Sequence, residues 1–226
     1  MALTFINHPV PSIINGLALQ YLVQEPKVKG GKQKAIILLH GVGSNEQDLF
    51  SLAPQLPDDY WVIAPRGQFA LGAGRYAWYQ VDFSSGKPVI NAAQEASSRE
   101  EIRAFIDEVK QKYHLEEVYL GGFSQGAIMS YSIGLTHPGE VSGIVALSGR
   151  ILDEIKPLVK KNELQELKVF LAHGVADNTL PIQYARAAKA YLQSLGIPLS
   201  YHEYEMGHQI NSMAVKDIKE WLGELA

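Results

Sequence analysis

At 226 residues, with 46% hydrophobic and 19% charged side chains, the chain is long enough for one sizeable core and is unlike a disordered or fibrous sequence. A formal net charge of −4, without a basic block or an acidic tail, argues against nucleic acid or an anionic membrane as a partner. The absence of cysteine excludes a disulfide framework, thiolate metal ligands and a cysteine nucleophile, and suits a reducing, cytoplasmic setting.

The first residues lack the basic start and apolar core of a secretory signal, and no apolar run is long enough to span a bilayer. Residues 16–23 suit an early antiparallel strand, and 26–34, rich in Lys and Gly, an exposed turn. Residues 35–39 form a continuous apolar run ending at His40-Gly41, as expected of a central parallel strand buried on both faces. A short helix over 45–53 and a strand over 61–64 follow. Residues 68–93 fit no period and hold Arg75, Tyr76, Trp78, Tyr79 and Phe83. Such a stretch is either a binding-site loop or a surface loop pinned by its aromatics. Ser97 or Ser98 can cap a helix running to about His114, with Ile102, Phe105, Ile106 and Val109 on one face.

An apolar strand then runs into Gly121-Gly122-Phe123-Ser124-Gln125-Gly126, followed by a helix of small and apolar residues. Beyond it come a strand at 143–147, a broken helical piece at 152–167 and a strand at 168–172. A helix at 181–195, a strand at 199–205 and a closing helix at 210–222 complete the pattern. Strands alternating with helices from Ala35 onward indicate a single domain over 1–226, with a mostly parallel sheet and helices on both faces.

Gly-x-Ser-x-Gly between a strand and a helix is the pattern of a nucleophile elbow, in which a sharp turn exposes the serine hydroxyl. Alone it is a five-residue match, and Ser124 could be a small residue in a tight turn. Parallel sheets gather their sites at the carboxyl ends of strands. There the chain places His40-Gly41-Val42-Gly43, Ser124, Asp177 and His208, with the acid and base in the order Ser…Asp…His. A serine needs a base to take its proton, a histidine has the pKa for it, and a carboxylate fixes the imidazole. The backbone N–H groups of Val42 and Gln125 are the expected oxyanion donors. Rival readings stand beside these. Asp177 could cap the helix near Pro181, Asp153 follows a strand one step too early, and six other histidines compete with His208. No cluster suggests a metal site and no pattern asks for a cofactor.

On these residues, with His173–Asp177–Pro181 and Gly207-His208, the chain resembles the phospholipase/carboxylesterase family, whose best-known members are acyl-protein thioesterases. The resemblance implies an α/β-hydrolase fold without a cap domain. It also implies Ser124, Asp177 and His208 as a triad, with Val42 and Gln125 as the oxyanion hole. The short span between Ser148 and Lys168 agrees with the lack of a lid. Family members often carry an Asp soon after the His-Gly loop, where this chain has Ser44-Asn45, and their aromatic segment is more compact than 77–82 here. Both differences fall on the acyl-binding side and bear on substrate, not chemistry. The expectation is a carboxylesterase acting on a small-molecule ester or thioester, with Leu71, Trp78 and Tyr79 as pocket walls. Thioesterase or lysophospholipase activity is the alternative. A non-catalytic binding protein is more remote, because such proteins usually lose one of the three side chains. A homodimer is compatible with the sequence, although no pattern demands it.

Overall fold

The computed structural model describes residues 12–82, 84 and 88–225, so His8 and Phe83 lie outside the described residues. In chain order the strands and helices are β1 (Tyr21–Gln24), β2 (Lys34–Leu39), α1 (Glu46–Phe50), β3 (Tyr60–Pro65), β4 (Phe69–Gly72), β5 (Arg75–Ala77), β6 (Val81–Asp82) and β7 (Val89–Ile90). They continue with α2 (Ala92–Tyr113), β8 (Glu117–Phe123), α3 (Gln125–Thr136), β9 (Gly143–Leu147), β10 (Lys168–Gly174), α4 (Gln183–Ser194), β11 (Leu199–Tyr204) and α5 (Ser212–Glu224).

Seven strands pair in the order β1-β3-β2-β8-β9-β10-β11. Only β1 runs antiparallel to its neighbour; the other pairings are parallel. The apolar runs explain this arrangement: every residue of β2 and of β9 is buried, as central strands covered on both faces must be. One core layer joins the sheet to apolar side chains of α2, α3 and α4. The other joins it to those of α1 and α5. Between β9 and β10 the chain holds only two 3-10 turns, Asp153–Leu158 and Lys161–Glu163, with Pro157 interrupting the first. The fold is that of an α/β-hydrolase with no cap domain.

Four stretches differ from the sequence reading, the first being residues 16–20, which are not strand, so that β1 begins only at Tyr21. Residues 68–93 are not shapeless: β4 pairs with β5 and β6 with β7 as two small antiparallel sheets. Gly72 and Gly74, both at positive φ, turn the first of them. Helix α2 starts at Ala92, where the Asn91 side chain accepts the Gln94 N–H. Ser97 and Ser98 are therefore inside the helix, and Ser98 is buried for another purpose. Finally, β10 extends through His173-Gly174 to Asp177's turn.

Helix α3 is buried along its whole length and lies directly against the end of β2. A Cβ on Gly126 would overlap the Leu39 carbonyl oxygen, and one on Gly122 would overlap the Gly126 backbone. No side chain can stand there. Gly126→Ala is therefore expected to lower stability by about 3 kcal/mol in urea unfolding. Gly223→Ala, where a Cβ meets nothing within 4 Å, is expected to change it by no more than about 1 kcal/mol.

Candidate active site

Ser124 sits between the end of β8 and the start of α3 with φ 54° and ψ −113°, in sparsely populated backbone space for a residue with a side chain. Its N–H is held by the Leu147 carbonyl (2.8 Å) at the end of β9. The strain keeps Oγ aimed away from the sheet while the flanking glycines let strand and helix close behind it.

The His208 Nε2 lies 3.0 Å from Ser124 Oγ, and its Nδ1 lies 2.7 Å from Asp177 Oδ2. Since a carboxylate only accepts, Nδ1 carries the hydrogen in this arrangement and Nε2 presents a lone pair to the serine hydroxyl. The His208 ring packs against the Phe123 ring, with centroids 4.8 Å apart, so the residue before the serine seats the base. Asp177 is buried, and its Oδ1 accepts N–H groups from Thr179 (2.9 Å) and Leu180 (2.8 Å). The carboxylate thus closes its own turn with one oxygen and holds the imidazole with the other. Asp177 does not cap α4, which starts later, at Gln183, with no side-chain cap.

The other candidates fall elsewhere. Asp153 is exposed and paired with Lys156 at 2.6 Å. His173 is fully buried, and its Nε2 must donate to the Leu180 carbonyl (2.7 Å), with Asp177 Oδ2 3.3 Å away. His137 bonds Thr136, His202 bonds Ser200, and His114 ends α2 in the left-handed region. Among the described residues no group of acidic and histidine side chains could hold a metal ion.

The Val42 N–H has no acceptor among the described residues, and Gln125, first in α3, has no acceptor within its helix. The loop carrying Val42 abuts Ser124: a Cβ built on Gly41 would lie 3.6 Å from Ser124 Cβ. Gly43 adopts φ 78°, a conformation suited to glycine, and donates to the Tyr76 carbonyl (2.8 Å) while Tyr76 donates back to Ser44 (2.8 Å). His40 is fully buried behind this loop. Its Nδ1 donates to Gly41 O (2.8 Å) and its Nε2 accepts the Gly67 N–H (2.9 Å). Nearby, Arg66 grips the buried Glu46 by two bonds of 2.7 and 2.6 Å and stacks on Tyr76. Burial alone would raise the Glu46 pKa, but the Arg66 fork holds that carboxyl below its ordinary value.

An apolar groove of about 680 Å³ opens beside Val42 and is lined by Leu71, Tyr79, Val81, Val89 and Ile90, with Asp82 and Asn91 also on its wall. Of the three residues expected as pocket walls, Leu71 and the largely buried Tyr79 contribute to the groove lining. Trp78 does not: it is fully buried and absent from the lining. Its indole N–H donates to the His40 carbonyl (2.9 Å), so it points into the core behind the loop. The side chain of Gln125, expected to matter only through its backbone, is also buried and bonded to the backbone of Trp78 and Tyr79.

The fold and the strand-end position of these groups define an α/β-hydrolase, and comparison with known proteins narrows the class. The chain belongs to the phospholipase/carboxylesterase family, whose pattern matches residues 20–225. Members of this family are hydrolases of the carboxylesterase and acyl-protein thioesterase type. Among the relatives is an acyl-protein thioesterase 1 from Kluyveromyces lactis, 27% identical and spanning 85% of this chain and 92% of its own. Esterase PE8 is 28% identical, with a TM-score of 0.77, over 93% of this chain and 99% of that one. A carboxylesterase from Mesorhizobium loti shares the fold at a TM-score of 0.82 with 22% identity, covering 94% and 98%.

Burial holds the His40 imidazole below its ordinary value of 6.5, because the interior disfavours the charged form. The unfolded chain then binds a proton near pH 6.5 that the folded chain still refuses. Stability from this group is complete above about 6.5 and drains away as pH falls toward the lower folded value. His137 is shifted the same way, first by its burial, and is common to both proteins in the comparison. In urea unfolding, the stability advantage of the wild type over His40→Gln is expected to be widest above pH 6.5 and to narrow below it. A constant difference from pH 8 to 5.5 would contradict this.

Proposed function

We propose that this chain is a serine carboxylic-ester hydrolase working through an acyl-enzyme. The reading rests on one observation, the unbroken line Ser124 Oγ–His208 Nε2 and His208 Nδ1–Asp177 Oδ2 at 3.0 and 2.7 Å. Ser124 Oγ attacks the ester carbonyl as His208 Nε2 takes its proton, and Asp177 stabilises the imidazolium that forms. The carbonyl oxygen becomes an oxyanion, held by the N–H groups of Val42 and Gln125. His208 then gives the proton to the leaving oxygen or sulfur, and the tetrahedral centre collapses to the Ser124 ester. Water, deprotonated by the same imidazole, repeats the sequence and frees the acid. All of this uses protein groups alone.

The acyl part of a small-molecule ester or thioester fits the groove beside Val42, where Leu71 and Tyr79 form part of the wall. A second reading, as an acyl-protein thioesterase or lysophospholipase, is favoured by the thioesterase relative and by the absence of a cap, which leaves room for a bulky leaving group. The two share every catalytic step and differ in substrate. A single domain over 1–226 acting in the cytoplasm completes the reading. It agrees with the lack of cysteine and with the absence, among the described residues, of any helix able to cross a membrane.

A fluorophosphonate probe is expected to label the wild type and leave Ser124→Ala unlabelled, with p-nitrophenyl butyrate turnover lost in the same variant. Persistent turnover in Ser124→Ala would sink the assignment. Asp177→Asn is expected to lower kcat by roughly 10³–10⁴-fold, since the amide favours the wrong imidazole tautomer. Comparing kcat/KM over matched esters and thioesters of increasing acyl length separates the two substrate readings.

A further inference from the structure

Gln125 has a side chain that hydrolysis as described does not use. It is buried and makes two bonds in opposite senses: Oε1 accepts the Trp78 N–H (2.8 Å) and Nε2 donates to the Tyr79 carbonyl (2.7 Å). In an extended strand the N–H of one residue and the carbonyl of the next point to opposite edges, so a single amide that holds both clamps a bend at residues 78–79. The segment it grips is the continuation of β5. Two residues earlier on that segment, Tyr76 exchanges two backbone bonds with Gly43 and Ser44, the residues directly after Val42. Trp78 adds a third tie, from its indole N–H to the His40 carbonyl. Residues 76–79 are thus fastened at one end to the loop bearing one oxyanion donor and at the other to the residue bearing the second.

We propose that the Gln125 side chain is a positioning group that sets the spacing of the two oxyanion donors, using residues 76–79 as a strut between α3 and the Val42 loop. This rests on the reading of the Val42 and Gln125 N–H groups as the oxyanion hole. Gln125 carries one donor on its backbone and secures the other through its amide. Because Tyr79 also lines the groove, the same clamp fixes the groove wall relative to the reacting carbonyl.

Gln125→Met keeps the length and removes both bonds. Ser130→Ala is the control: it removes another buried bond of α3, from Ser130 Oγ to the Gly126 carbonyl (2.9 Å), without touching the strut. Wild-type turnover that depends on Ser124 is established first, so that failure of the hydrolase reading is recognised separately. With active sites titrated, Gln125→Met is expected to lower kcat for p-nitrophenyl butyrate by about 10- to 100-fold while KM changes less than threefold. Affinity for an alkyl trifluoromethyl ketone, which forms a tetrahedral oxyanion adduct on the serine, is expected to fall by a similar factor. Ser130→Ala is expected to keep kcat per titrated site within threefold. The proposal is overturned if Gln125→Met loses less than threefold, if Ser130→Ala loses as much, or if ketone affinity is unchanged while kcat falls.

Discussion

Everything in this site depends on one close approach, the backbone of α3 against the end of β2. Gly126 meets the Leu39 carbonyl with no room for a side-chain atom between them. That contact brings the first turn of α3, with its unpaired N–H groups, alongside the loop that β2 feeds into. A wider gap would leave Ser124 in place on β8 and still move the Val42 loop away from it. The steric requirement for glycine at Gly122 and Gly126 therefore bears on the proposed oxyanion pocket as much as on the proposed nucleophile. Ser124 has a positive φ because the chain must reverse within one residue between two elements packed this tightly.

The tight approach leaves polar groups buried, and around His40 the structure answers them with partners. His40, fully buried, bonds Gly41 on one nitrogen and Gly67 on the other, and its carbonyl takes the Trp78 indole. The Trp78 carbonyl takes Ser98 Oγ from α2, and Ser98 in turn accepts from Gln68 at 2.7 Å. A buried donor or acceptor left alone costs roughly 1–3 kcal/mol, more than a satisfied bond contributes. Removing any one member thus strands its neighbours, which makes the set behave as a unit. The Asp177 turn follows the same rule: Thr179 and Leu180 satisfy one oxygen, which leaves the other directed at His208.

The parts legible in the sequence were those governed by steric or chemical rules local to a few residues. Apolar runs of five or six residues mark central strands because both their faces are covered. Two glycines around Ser124 mark a turn that only glycines allow, and the positions of Asp177 and His208 follow from where strands end. Trp78 and Tyr79 were less legible. Adjacent aromatics in an aperiodic stretch look alike on paper and both are buried here, yet only Tyr79 contributes to the groove lining, while the Trp78 indole N–H is turned to the His40 carbonyl. Gly72 and Gly74 around a turn were the available signal for the hairpin of β4 and β5, which ends at Ala77 just before them. The start of α2 was misread for a similar reason. Asn91 followed by Gln94 is a capping pattern in its own right, whereas Ser98 is in the helix to reach the Trp78 carbonyl. The Gln125 amide had no signature, since its partners lie far away in sequence and are backbone atoms, which no residue type reveals.

Two kinds of constraint thus meet at the serine, and they act on different parts of the chain. The groups proposed to react are held mainly through backbone: Ser124 by Leu147, Asp177 by its own turn, and the Val42 loop by Tyr76. Side chains in the groove carry no such duty. Leu71, Val81, Val89 and Ile90 sit on short two-stranded sheets outside the central one, tied to it in part by the segment that Gln125 grips. Replacing one of them alters the apolar surface offered to an acyl chain and leaves the hydrogen bonds of the catalytic line in place. With no cap over the opening, the leaving-group side meets solvent rather than a fitted wall. On the proposed function, substrate choice comes from the small sheets and reaction geometry from the backbone frame, and residues 76–79 are a place where a change is felt by both.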